Sequence, residues 1–177
     1  MQRVFDAMQP VLDTPFVRHV RRNHGLEHAT IHMLSRQIKS LRVVGRSDAR
    51  GFYLYGNVPT EAVESAVREA LDRMRKGEHD LAIHPNCGTN LVTAASLAAA
   101  AVFAALVGSE RDRGGKLSRL PLVVLGIMGA MIVAQPLGAR IQRNVTTLGD
   151  PADLEILGVK RHQRGNLTIH RVQTRSS

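Results

Sequence analysis

Cys87 is the chain's single cysteine among 177 residues, and tryptophan is absent. One thiol excludes an internal disulfide framework and leaves a reduced sulfur for packing or metal ligation. Aromatics make up 3% of the chain. They do not interleave with basic residues as a stacking platform for single-stranded nucleic acid requires. Acidic residues are scarce as well: 15 Asp and Glu stand against 24 Lys and Arg, for a net charge of +9. That excess points to an anionic contact. The basic residues are spread along the whole chain, which suits an anionic lipid surface and excludes a concentrated nucleic-acid footprint, so no nucleic-acid partner is expected. The first thirty residues carry charges throughout, and an N-terminal export signal is not expected.

The apolar residues that are present are concentrated. Residues 91–108 read LVTAASLAAAAVFAALVG and residues 121–139 read PLVVLGIMGAMIVAQPLGA, both without a charge. About twenty apolar residues cross a bilayer as a helix, and a helix apolar on all sides belongs there. A two-helix transmembrane hairpin is predicted, with the lipid bilayer as a partner. Gly126, Gly129 and Gly138 permit close helix approach, with the other span or with a second copy in a homo-oligomer. Gln135 reads either as an interhelical hydrogen-bonding group or as an interfacial one. Two crossings put both termini on one side, expected to be cytoplasmic. Arg73, Arg75, Lys76, Arg140 and Arg143 flank that side, while Arg111, Arg113, Lys116 and Arg119 sit in the connector, which the positive-inside rule would place inside.

The remaining chain reads as a small α+β domain interrupted by this hairpin. Residues 1–90 form the α+β domain, 91–142 the transmembrane hairpin and 143–177 a C-terminal tail. Helical spacing of Ile31, Leu34, Ile38 and Leu41 predicts a helix from about Phe16 to Lys39. LRVVGRSDARGFYLYGN predicts two short strands about a turn at Ala49 to Gly51. Thr60 reads as the N-cap of a second helix that ends at Gly77. HDLAIHP predicts a third strand stopping at Pro85. LEILGVKRH and GNLTIHRVQ predict a β-hairpin that returns to the same sheet.

Chemistry concentrates in HGLEHATIH, His24 to His32. Residues four apart share a helix face, so His24 and His28 point together with Glu27 beside them. His-x-x-Glu-His is the inverted zincin arrangement: two imidazoles bind zinc, and the carboxylate takes the proton that metal polarisation loosens. Equally, the stretch reads as a helix with solvent-facing histidines. His32 lies about forty degrees further round and reads as supporting or surface. HPNCG, His84 to Gly88, sets a second imidazole and the thiol three residues apart in a turn, a spacing familiar from zinc sites, though a buried Cys at a strand end has the same appearance. Ligation by His24, His28, His84 and Cys87 together would close the site and make it structural; three ligands would leave a place open and give Glu27 a reaction to serve. Thr89, Asn90 and Thr93 lie just past the turn, where they could orient substrate, but they read better as an N-cap and polar groups at the membrane interface. His19, His79, His162 and His170 are assigned no role.

HGLEH, then HPNCGTNLV leading into an apolar span, then IQRNVTTLGDP followed by LEI, resembles the YqhQ-like family of bacterial membrane proteins. The resemblance covers about Asn23 to Ile156. It implies a predicted metal-dependent enzyme of the bacterial inner membrane without an established substrate, with His24, His28, His84 and Cys87 as ligands and Glu27 as the acid-base group. Ala29 and Asn86 stand where that family has lysine and arginine, and family members are longer. The resulting expectation is a membrane-embedded zinc-dependent hydrolase with its site at the cytoplasmic surface. The alternative is a non-catalytic membrane scaffold or assembly protein with a structural zinc.

Overall fold

The computed structural model describes residues 2–107 and 115–176. Arg111, Arg113 and the side chain of Lys116, on which part of the charge argument rests, lie outside them. The chain divides into two compact units, residues 1–84 with 143–177, and residues 85–142.

The first unit is α+β, as expected. Helix α1 spans Gln2–Leu12, α2 Pro15–Gln37 and α3 Thr60–Arg75; strands are β1 Val44–Asp48, β2 Gly51–Tyr55, β3 Glu155–Arg164 and β4 Leu167–Arg175. Pro15 occupies the first turn of α2, where a missing N–H costs nothing. From there Leu26, Ala29, Met33 and Leu34 line one buried stripe. Val63, Ala66, Val67, Ala70 and Met74 do the same on α3. The four strands form one antiparallel sheet in the order β1-β2-β4-β3. Phe52, Leu54 and Val172 point from it into the core formed with the two helices. Complete burial of such side chains contributes roughly 1.5–3 kcal/mol each. The C-terminal hairpin does return to the sheet, through antiparallel pairing of β4 with β2.

Three local expectations are corrected. Residues 79–82 form a 3₁₀ turn rather than a strand. The carbonyls of Ala82 and Ile83 receive histidine side chains of α2, so they are not available to a strand ladder, and Pro85 has no N–H to give one. Pro59, not Thr60, is the cap residue of α3; the Thr60 hydroxyl instead meets His170 Nε2 at 3.1 Å. Helix α1 precedes the first helix read from the sequence. Gly77 does end α3, with a positive φ of 95° that glycine tolerates.

His170 is fully buried on the inner face of β4, and its Nδ1 has no partner among the described residues. Burial, reinforced by the nearby Arg161 charge and opposed by Glu61, lowers its pKa. The folded state therefore holds it neutral while the unfolded chain binds a proton below about pH 6.5. Its stabilisation is present above that pH and is lost as pH falls toward the depressed folded value. The melting temperature of the detergent-solubilised protein is expected to drop between about pH 7.5 and 5.5, and His170→Gln to flatten that dependence.

The second unit contains α4, Gly88–Leu106, and α5, Leu120–Ile141. Both are long and apolar enough to cross a membrane; nineteen residues of helix extend about 28 Å, near the roughly 30 Å hydrocarbon core. Their apolar side chains are largely exposed, including Leu91, Phe103, Leu125 and Ile132. Contact between the helices runs along small residues. A Cβ on Gly126 would lie 3.3 Å from the Ala101 methyl, and one on Gly138 would strike Asn90, whereas Gly129 faces open space. The polar tie is not Gln135, which is exposed, but Gln142, whose Nε2 donates to Asn90 Oδ1 at 2.7 Å. Arg119 donates to the carbonyls of Ala105 and Val107 at 3.2 Å each, capping the end of α4.

Candidate metal centre

His24 and His28 lie one turn apart on α2, with ring centroids 4.4 Å apart and the planes inclined at 63°. Their ligand-bearing nitrogens come within 4.8 Å of one another. The chain positions each ring through a backbone carbonyl. His24 Nδ1 is 2.9 Å from the Thr146 oxygen, and His28 Nδ1 is 2.7 Å from the Ala82 oxygen. A carbonyl oxygen only accepts, so each Nδ1 carries the proton and each Nε2 the lone pair. This is the arrangement by which metal-ligating histidines are held in one tautomer.

Gly25 explains how the first of these carbonyls gets so close. A Cβ at that position would lie 2.5 Å from the Leu148 oxygen. Only glycine lets residues 146–148 lie against α2, where the Leu148 N–H also donates to the Arg21 carbonyl at 3.0 Å. The glycine inside HGLEH thus serves close approach.

His84 joins the same neighbourhood. Its ring lies 5.7 Å from that of His28 and 4.8 Å from that of His32. His32 Nε2 donates to the Ile83 carbonyl at 2.9 Å, so His32 has a supporting contact, as expected, and meets His84 as well. Burial, with the neighbouring His32 and His28, lowers the His84 pKa to about 4. His84 is therefore neutral at neutral pH, the form that ligates metals.

Glu27 is 4% exposed and turns toward β1, where Ser47 Oγ donates to its Oε2 at 2.5 Å. Gly45 makes the space: a Cβ there would lie 1.9 Å from Glu27 Oε1. Burial raises the Glu27 pKa, against the lowering effects of the Ser47 hydrogen bond and the adjacent His24. A buried carboxyl beside an imidazole, with its pKa pushed upward by burial, is placed to hold or pass a proton.

Cys87 belongs to the second unit, where it caps α4 and its Sγ accepts the Thr89 N–H at 3.4 Å. The cap is thus the cysteine. Thr89 and Thr93 share a first-turn contact, with the Thr93 hydroxyl 2.7 Å from the Thr89 carbonyl. Asn90 Nδ2 donates to the Pro85 carbonyl at 2.8 Å.

Sequence reasoning missed Ser47, Gly45 and the carbonyls of Ala82 and Thr146. A glycine inside a strand is a signal of close approach, and Gly45 gave it. Thr146 falls within the quoted IQRNVTTLGDP, but a main-chain acceptor leaves no mark in side-chain identity.

A relative from the cyanobacterium Picosynechococcus, an uncharacterised protein, is 34% identical over 142 residues, covering 72% of this chain. The aligned segment spans 65% of that relative's length. No solved structure matches. The match supports an uncharacterised family, and the YqhQ-like label stays a resemblance. Residues 19–159, which run from α2 into β3 and include both histidine motifs, match the family described as a domain of unknown function, DUF6391, and the chain belongs to that family.

Proposed function

We propose that this chain is a membrane-anchored, metal-dependent hydrolase-like protein. His24 and His28 would hold a divalent ion, with His84 beside them and the Cys87 thiolate of HPNCG as the sulfur ligand that the sequence spacing offers. The observation that carries the reading is the pair of imidazoles on one helix face, each fixed through Nδ1 by a carbonyl with the lone pair on Nε2. Cys87 follows His84 by three residues, a reach of at most about 11 Å. Two nitrogens and a thiolate suit zinc among the common divalent metals. When bound, such an ion supplies Lewis acidity and makes a nearby water acidic enough to lose its proton near neutral pH.

The protein's own contribution is positional. The carbonyls of Thr146 and Ala82 orient His24 and His28, and His84, uncharged at neutral pH, adds no repulsion against a cation. Glu27 holds or accepts a proton beside His24, its carboxylate steadied by Ser47. α4 and α5 anchor the chain in the bilayer, by this reading the bacterial inner membrane with both termini cytoplasmic; pairing with a second copy is compatible with the exposed small-residue surface at Gly129.

Glu27→Gln separates the roles. It is expected to keep the metal content of the wild type and to abolish hydrolysis of any ester, amide or phosphoester that the wild type turns over. A variant as active as the wild type would contradict the acid-base role. That result would favour a structural zinc in a scaffold or assembly protein, a reading that the Ser47 contact and tight packing of Glu27 against Gly45 also accommodate.

A further inference from the structure

The helices α2 and α3 cover one face of the sheet; the other face carries a different chemistry. Alternation with the buried Phe52, Leu54, His170 and Val172 puts Tyr53 and Tyr55 on this outer face. The strand registers add Arg46 on β1, Arg171 on β4, and Lys160, His162 and Arg164 on β3. The tyrosine rings stack with centroids 6.1 Å apart, and the Arg171 guanidinium lies 4.3 Å over Tyr53. Both acids of this face are occupied. Asp48 receives both ends of Arg171 at 2.8 and 2.9 Å, and Glu155 receives Arg175 at 3.1 Å. Arg46, Lys160, His162 and Arg164 are exposed and have no ion pair among the described residues.

We propose that this outer sheet face docks on the anionic headgroup surface of the bilayer. Its uncompensated basic groups complement anionic lipid, and paired tyrosines suit the interface between apolar and polar layers. The exposed Val44 and Leu167 lie on the same face at the sheet's edge and hairpin end. The proposal rests on the membrane reading of α4 and α5, which tether the sheet to lipid and so raise its effective concentration there. A free basic face would be solvated by counterions; a tethered one meets lipid phosphate continuously.

The protein supplies its own probe, because it has two tyrosines and no tryptophan. Tyrosine emission therefore reports on this face alone. The full chain is reconstituted in nanodiscs whose scaffold protein carries no tyrosine or tryptophan, one set of phosphatidylcholine and one in which about a third of the lipid is phosphatidylglycerol, and quenched with acrylamide. The quenching constant is expected to be about twofold lower in the anionic discs, and about 0.5 M salt to restore it. The double variant Lys160→Glu, Arg164→Glu is expected to lose the protection; the salt titration of the wild type needs no variant and stands if that one fails to fold. Equal quenching in both discs would overturn docking while leaving the membrane reading intact. Protection by a single-stranded RNA oligonucleotide in neutral discs, without protection by anionic lipid, would overturn it in favour of a nucleic-acid surface. A chain that cannot be incorporated into either disc would overturn both readings.

Discussion

Exchange of His28 for alanine is expected to weaken metal binding by at least about a hundredfold, as loss of a ligand does more than loss of its supporting contact. His28 is 2% exposed, so the change also opens a small cavity and leaves the Ala82 carbonyl without its donor. That second effect costs about 1–3 kcal/mol of stability on its own. Metal affinity and folding would therefore fall together, and a control is needed. Thr30 is buried on the same helix, its hydroxyl 2.7 Å from the Leu26 carbonyl. Thr30→Ala should cost stability without changing metal content. Titration of both purified variants with zinc against a chelating indicator makes the comparison; equal affinity in the His28 variant and the wild type would remove His28 from the site.

The second large effect concerns the seat of Glu27. A Cβ at Gly45 would lie 1.9 Å from Oε1, 2.3 Å from Cδ and 2.8 Å from Cγ of that side chain, so Gly45→Ala must expel the carboxyl from its place beside Ser47. Such overpacking costs roughly 1–3 kcal/mol. The cost arises from one contact, so it should be much smaller in a Glu27→Ala background, and a double-mutant cycle should show coupling of about 1 kcal/mol or more. Chemical unfolding of the four proteins measures this. Additive effects would mean that Gly45 is required by the strand itself and not by Glu27.

How much of this was legible in the sequence differs from element to element. The amphipathic α2 and α3 announce themselves because their apolar residues recur at helical spacing, and the hairpins do so because Phe52 and Leu54 alternate with Tyr53 and Tyr55. The spans are legible from composition alone. The 3₁₀ turn at residues 79–82 was not: the apolar residues of HDLAIHP fit a short strand equally well, and what decides against one is a long-range demand, the capture of its last carbonyls by His28 and His32. Helix α1 carries Phe5, Met8 and Leu12 at helical spacing, but Pro10 inside the stretch reads as a helix breaker.

At the site, the side chains able to ligate metal were readable because histidine, cysteine and glutamate are chemically distinctive. The groups that orient them were not, since two are backbone carbonyls and the third, Ser47, is a common strand residue. His170 escaped for the opposite reason. Its neighbours in sequence are ordinary, and only the pairing of β4 between β2 and β3 buries it. The position of Glu27 shows the limit of motif reading most clearly: the spacing places it beside His24, but its contact with β1 depends on a glycine eighteen residues away.

The proposal that matters most is that the α2 histidines bind an ion for which the HPNCG motif supplies a thiolate, Cys87. Cobalt substitution tests it most directly, because a thiolate ligand gives cobalt a charge-transfer band in the near ultraviolet that nitrogen ligands do not. The purified full chain loaded with about one equivalent of cobalt is expected to show that band. Cys87→Ser should abolish it, and His28→Ala should abolish it too through loss of the ion. A band that survives His28→Ala, or cobalt bound with no thiolate band in the wild type, would contradict a shared site.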